Sequence, residues 1–339
     1  MTKEKVGFEE IEKFLLGKDE QKYIVAIEAS YHENFVSLII NDPNKGKDIE
    51  KHTLKPFLWM KHEVSKILYG GIKSEIKKAM RECGVTIKSL RVDDGSGVVP
   101  ERIDSGFKYM VSCTKSYSTL INFFKNGGCD IFSGDLVYPE DKESTVTFKS
   151  LFVKFSPDEQ FLIQTGKRLF KGMDDYNDVH RFQFDLETKG LDARTKAIFQ
   201  IGIRDNRGFE LVLETRGNTP KEERESEKVN IIRFFEVIAE ICPDIITAYN
   251  DANFDWPYFQ TRCNRLGIDI TAIAKTLDPR KKIRWKSAML KLGAETVMFD
   301  QTIMWGYNVI DISHSVRRAQ AINSSIKSWS LKYLSLIHI

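Results

Sequence analysis

Residues 180–192, reading HRFQFDLETKGLD, constrain the fold more than any other stretch of the chain. Phe182 and Phe184 alternate with His180, Arg181 and Gln183, the period-two pattern of a strand with one buried face. The strand then presents Asp185 and Glu187, one residue apart, followed by Thr188, Lys189 and Gly190. Residues i and i+2 of a strand share a face, so two carboxylates stand side by side at the end of an apolar strand. Like charges that close repel each other unless a cation intervenes. Oxygen ligands of this kind suit Mg²⁺ or Mn²⁺ rather than zinc. With 48 acidic residues in the chain, a lone Asp-x-Glu is as easily a solvated strand end, and the remaining sequence has to decide.

At 339 residues the chain is long enough for about two domains. Its 42% hydrophobic and 29% charged residues are ordinary for a globular protein, and a net charge of +3 permits a polyanionic partner without requiring one. The five cysteines are scattered and form no Cys-x-x-Cys, which argues against a disulfide framework or zinc site and for a reducing compartment. The opening MTKEKVGFEEIEKF lacks the apolar core of a signal peptide, and no apolar run reaches membrane-spanning length. The expected location is cytoplasmic, including replication in a virus-infected cell.

Residues 21–40 read as a β-hairpin broken near 31–33, residues 42–46 as a turn, and 55–60 as a short strand entered through Pro56. Helical spacing runs over 64–80, a loop over 93–97, and a helix over 116–125 closed by Gly127-Gly128. Residues 146–155 alternate as a strand. This mixed α/β region, 1–178, contains no metal-ligand cluster and no glycine-rich phosphate loop. The second region, 179–339, is more orderly. Three strands, 182–186, 197–204 and 209–215, form an antiparallel meander. Ile231, Phe234, Phe235 and Ile238 mark a helix, 245–249 a buried strand, and 254–266 a helix capped by Gly267. A basic stretch over 275–291 precedes a strand at 306–312, and a helix begins near 328. The order βββ-α-β-α-β-α predicts a three-layer α/β domain on a mixed sheet.

Beyond the fourth strand come Asn250, Asp251, Ala252, Asn253, Phe254 and Asp255, then Trp256, Pro257 and Tyr258. In open α/β sheets, functional groups gather at the carboxyl ends of the strands. Asp255 is therefore expected near Asp185 and Glu187, although an acid at a helix start also complements the helix dipole without further function.

Taken together, Phe184-Asp185-Leu186-Glu187, the later Tyr249-Asn250-x-x-x-Phe254-Asp255-x-Pro257-Tyr258 and the element order between them resemble one family. It is the proofreading 3′→5′ exonuclease domain of family B DNA polymerases, with the DnaQ-like, ribonuclease H-like fold. Residues 306–311 look like its next core strand and Ser328-Trp329-Ser330-Leu331 like its following helix. Lys55-Pro56-Phe57-Leu58-Trp59 resembles the N-terminal domain of the same polymerases, including those of tailed bacteriophages. The resemblance implies two Mg²⁺ or Mn²⁺ ions held by Asp185, Glu187 and Asp255, with Asn250 and Phe254 contacting the frayed primer 3′ end. It also implies a single-stranded DNA substrate and the rest of a polymerase chain as partner.

The family's third motif, Tyr-x-x-x-Asp on a helix beyond the SLKYL-like segment, has no match there, because Tyr333 is followed at the fourth position by Ile337. Residues 335–339 also depart from the family pattern. The expectation is an N-terminal polymerase fragment whose own nuclease is impaired. The competing reading is a module of the same fold that has lost catalysis and serves in nucleic-acid binding or structure. A stand-alone exonuclease is a third. Phe254 reads either as a base-stacking platform or as core. Lys275, Arg280, Lys281, Lys282, Arg284 and Lys286, around Trp285, read either as a phosphate track or, more plainly, as a solvated loop.

Overall fold

The structure is a computed structural model that describes residues 19–30, 33–60, 81–89, 109–126, 135–136, 146–147, 151–152, 156–292 and 295–337. The chain divides into two compact units, Met1–Gly172 and Met173–Ile339. The helix expected over 64–80, the 93–97 loop, the Gly127-Gly128 stop and most of the 146–155 strand lie outside the described residues.

In the first unit, β1 (Ile24–Ser30), β2 (Phe35–Asp42) and β3 (Gly46–Thr53) form an antiparallel sheet. The β2–β3 turn is set by its own residues. Asp42 accepts the Asn44 amide at 2.8 Å, and Gly46 takes φ +80°, which glycine adopts without a steric penalty. Further along come β4 (Phe57–Met60), β5 (Val85–Ser89), β6 (Tyr109–Cys113), α1 (Tyr117–Asn126), β7 (Asp135–Leu136), β8 (Val146–Thr147) and β9 (Leu151–Phe152). A second sheet has the order β5-β6-β4-β9. One helix escapes the sequence reading: α2 (Pro157–Thr165), opened by a Ser156–Glu159 capping box. Its buried face is led by a glutamine instead of an apolar stripe. Gln160 donates to the Phe57 carbonyl and accepts the Phe57 amide, both at 3.0 Å, while Phe161 joins Ile24, Val36, Leu38 and Leu54 in the core.

The second unit is built on five strands: β10 (Arg181–Thr188), β11 (Ile198–Asp205), β12 (Glu210–Glu214), β13 (Ile245–Ala248) and β16 (Asn308–Asp311). Their order is β12-β11-β10-β13-β16. The first three pair antiparallel as a meander, and β13 and β16 add in parallel, so the sheet is mixed and β10 joins its two halves. Phe182, Phe184 and Leu186 of β10 are buried, whereas Asp185 and Glu187 are exposed. The alternation read from the sequence is thus realised.

The buried face packs against α3 (Pro220–Ile241) and α4 (Asp255–Leu266). Helix α3 starts at a Thr219–Glu222 capping box with Pro220 in the first turn. Phe234 sits at the centre of the resulting aromatic cluster. Its ring lies 4.7 Å from Phe259, 5.0 Å from Phe184, 5.1 Å from Phe235 and 6.0 Å from Phe182. Helix α4 ends, as its sequence requires, at Gly267 in the left-handed conformation, φ +69°.

The short helix α5 (Ile270–Ile273) leads to a long hairpin, β14 (Arg284–Leu292) with β15 (Glu295–Ile303). This corrects the reading of 275–291 as a basic loop, since its second half is a strand. Most of both hairpin strands faces solvent, and Met289 and Met298 are 67% and 58% exposed, so the usual in–out signature is weak. Helix α6 (Ile312–Ile322), which the sequence reading also lacked, follows β16 directly, and α7 (Leu331–Ile337) follows it. Among the described residues no helix is long and apolar enough to cross a membrane.

Candidate active site

Strands β10 and β13 run parallel with Gln183 opposite Thr247, so both carboxyl ends reach the same edge of the sheet. Asp185 and Glu187 leave β10 there, and α4 begins there with Asp255 as its first residue. Asp255 is only 2% exposed, and its Oδ1 has no hydrogen-bond partner. Burial pushes its carboxyl up to about 7, aided by the negative charge of Asp185, while the amides of Asp255 and Leu186 pull it back. Asp185 is raised as well, first by burial and then by the neighbouring Glu187 charge, against the Leu186 amide. The fold therefore brings Asp185 to Glu187 along one strand and Asp185 to Asp255 across two elements. It does not close the three into a cage. Among the described residues no group of three or more His, Cys, Asp or Glu side chains is arranged to hold a metal ion.

Directly opposite Asp185 on β11 lies Gly202. A Cβ built there would meet nothing nearer than the Asp185 carbonyl oxygen at 4.0 Å. Cross-strand partners share a face of the sheet, so the side of Asp185 toward β11 is uncovered.

The segment between β13 and α4 is shaped from outside. Asn250 holds φ +63°, a left-handed conformation that asparagine adopts more readily than most non-glycine residues. Its amide donates to Asp311 Oδ1 at 2.9 Å, and the Ala252 amide donates to Asp311 Oδ2 at 3.2 Å. Asp311 Oδ1 also accepts the Ser313 amide at 2.8 Å, capping α6. Between these two amides lies Asp251, 1% exposed, whose Oδ2 accepts the Trp256 indole N–H at 2.8 Å and whose Oδ1 has no hydrogen-bond partner. Burial, and then the Asp311 charge, push the Asp251 carboxyl up to about 8.

The other expected contact residues lie on this segment. Asn250 Oδ1 accepts from Asn253 Nδ2 at 3.0 Å. Phe254 is half-buried, its ring 5.3 Å from Tyr258. The loop after Glu187 is fastened from α4: Tyr258 donates to the Gly190 carbonyl at 2.8 Å, and Arg262 donates to the Ala193 carbonyl at 3.1 Å. Of the basic stretch, Arg280 is paired with Asp278 at 2.7 Å.

The family model described as DNA polymerase family B, exonuclease domain, matches residues 171–334. That segment is a family B exonuclease domain. The chain is similar to a DNA polymerase of Thermococcus hydrothermalis, 30% identical over 126 residues, which is 36% of this chain and 7% of the relative. It is similar to DNA polymerase 2 of Aeropyrum pernix, 31% identical over 101 residues, or 29% of this chain and 12% of the relative. It is also similar to a DNA polymerase of Thermococcus kodakarensis, 31% identical over 115 residues, or 33% of this chain and 7% of the relative. The matched stretch is thus a small part of each of these polymerases.

Two residues of the exonuclease domain were missed in the sequence. Asp251 looked like one more loop acid, and Asp311 like the end of a core strand. The spacing Tyr-x-x-x-Asp does occur once in the chain, at Tyr307 and Asp311. Asp311 ends β16 and Tyr307 lies just before that strand, so the pair is not on one face of a helix. Tyr307 turns its hydroxyl to Cys242 Sγ, 4.0 Å away at the end of α3, so the pair does not stand in for the helical motif.

Proposed function

We propose that the exonuclease domain hydrolyses the 3′-terminal phosphodiester of single-stranded DNA as the proofreading activity of a larger family B DNA polymerase. The observation that carries this reading is the buried Asp255, with one carboxylate oxygen lacking any partner, close enough to Asp185 that the Asp185 charge raises its pKa, while Asp185 is itself raised by burial and by Glu187. An isolated pair of this kind is unfavourable unless it serves a cation or a proton.

The donors are all carboxylate oxygens, which fits Mg²⁺ or Mn²⁺. Asp185 would hold both of two ions, Glu187 the one on the nucleophile side and Asp255 the other. When bound, such ions lower the pKa of an attacking water and stabilise the leaving 3′ oxygen. The protein's own residues do the rest. The parallel pairing of Arg181, Phe182 and Gln183 with Ile245, Ile246 and Thr247 holds β10 and β13 in register. Asn250 offers its side chain to the terminal nucleotide, and the exposed part of Phe254 offers a stacking surface to its base.

The test is removal of nucleotides from the 3′ end of a single-stranded oligonucleotide by a polymerase chain that carries this domain, with Mg²⁺ supplied. Asp185→Ala, Glu187→Ala and Asp255→Ala should each lower the rate by about a hundredfold or more, the equivalent of several kcal/mol of transition-state stabilisation. DNA binding should change little. Undiminished hydrolysis in Asp185→Ala would refute the reading and leave the domain a binding module.

A further inference from the structure

We infer that Asp311 is a positioning residue, whose buried carboxylate imposes on residues 250–252 the conformation that sets Asp255 against Asp185. The inference rests on the reading of Asp185 and Asp255 as a cation site.

Helix α4 lacks a side-chain cap at its start, since its N-cap residue, Phe254, makes no capping bond, and the chain enters through Asn250 in the left-handed conformation that asparagine adopts more readily than other non-glycine residues. The entry is held in addition from a different strand. Two residues of the segment bond to the one carboxylate at the end of β16, Asn250 and Ala252, each through its backbone amide. The turn closes around this anchor. Asn253 and Phe254 donate their amides to the Asn250 carbonyl at 3.2 and 3.1 Å, and Trp256 donates to the Asp251 carbonyl at 3.0 Å. Asp255 lies inside that set of bonds, so its direction follows from them.

The carboxylate itself is held. Asp311 is 7% exposed, its strand pairs with β13 so that it lies opposite Ala248, and its Oδ1 is also bound by the Ser313 amide. His314 Nε2 lies 3.8 Å from Oδ2. Asp311 accepts backbone amides on both oxygens, from residues 250 and 252 and from the start of α6, so it is engaged with the backbone that leads to Asp255. Asp311 therefore acts through Asp255, as a positioning residue.

Two substitutions separate this role from its alternatives. In Asp311→Asn one oxygen becomes an NH₂ group facing a backbone N–H, a donor against a donor, and part of the anchor is lost. In Asp251→Asn the amide oxygen still accepts from Trp256, and both amide bonds to Asp311 are left in place beside a neutral side chain.

The measurements are residue-resolved hydrogen exchange and Mn²⁺ affinity on the whole chain. In Asp311→Asn the Asn250 and Ala252 amides should exchange about tenfold faster or more, with the strand amides of Ile246 and Thr247 unchanged. Mn²⁺ affinity should fall by about tenfold or more, as for other groups that orient ligands. Asp251→Asn should leave both readouts within about twofold of the parent. Unchanged protection of Asn250 and Ala252 in Asp311→Asn overturns the inference. So does an Asp251→Asn chain that is folded but as impaired as Asp311→Asn, since Asp251 would then be needed as an anion. Should Asp311→Asn not fold, Asp251→Asn decides alone. A parent chain that binds Mn²⁺ no better than Asp185→Asn or Asp255→Asn would overturn the cation site, while amide exchange would still read the anchoring.

Discussion

Arg262 closes on Glu227 through two hydrogen bonds, Nε to Oε1 at 2.7 Å and Nη2 to Oε2 at 2.6 Å, with Glu227 only 1% exposed. The pair joins α4 to α3 and reaches further. Glu227 also accepts the Ile198 amide at 2.9 Å, at the start of β11. Breaking one side of a buried pair leaves the other charge without compensation. Arg262→Met should therefore destabilise the second unit by about 3–5 kcal/mol. Urea denaturation checks this, and the double variant Arg262→Met/Glu227→Leu should recover much of the loss. Equal loss in the single and double variants would mean that packing, and not the stranded charge, dominates.

The centre of the aromatic cluster is the next sensitive point. Phe234 touches rings from β10, α3 and α4 at once. Phe234→Ala leaves a cavity that helices fixed at both ends cannot close, and should cost about 3–5 kcal/mol. Phe234→Leu should cost less. A loss below about 1 kcal/mol in Phe234→Ala would place the main core elsewhere.

Cation affinity should depend on pH in one direction. Asp255 titrates near about 7, and an ion requires its deprotonated form. Mn²⁺ affinity should fall as the pH is lowered through this value, by up to about tenfold per unit for each proton displaced, and level off above it. Calorimetry between acidic and mildly alkaline pH measures the profile. Asp255→Asn should bind more weakly and lose most of the slope, whereas a flat parent profile would contradict the assignment.

Stability without divalent ions should show the opposite trend. Asp251 is raised in the folded chain to about 8, from the ordinary carboxylate value of the unfolded chain. The folded state then binds the extra proton between those two values, so stability declines as pH rises from about 4 to about 8 and is level beyond. Asp205 works the other way. Burial pushes its carboxyl up, but hydrogen bonds from His180 and from the Phe209 and Arg207 amides bring it below its ordinary value, so its contribution disappears only in acid. Thermal melts in a chelating buffer should show a falling melting temperature across neutral pH in the parent and a flatter course in Asp251→Asn. Equal slopes would contradict the raised carboxyl of Asp251.

The exonuclease sheet was legible because its central strand is buried on one face only. Phe182, Phe184 and Leu186 alternate cleanly with polar residues, and a meander, a helix and a short apolar strand follow with ordinary signals. The β14–β15 hairpin was not legible because its alternation does not separate core from solvent: Met289 and Met298 are as exposed as their charged neighbours. Helix α2 was hidden by a buried Gln160 whose partners are backbone groups of β4. Asp185, Glu187 and Asp255 could be named because spacing and chemistry coincide on them. Asp311 could not, since the groups it holds are amides, which every residue but proline carries and no sequence pattern distinguishes.

Gly202 has a consequence of its own. Its φ is not in the left-handed region, and a side chain added there would strike nothing, so neither backbone conformation nor packing asks for glycine at this place in β11. A β-branched residue would suit the strand better by intrinsic preference. Valine at this position should thus give a sturdier sheet and weaker Mn²⁺ binding, because its methyl groups would stand beside Asp185 across the ladder. The emptiness at 202 is a doorway, kept open at the expense of the wall.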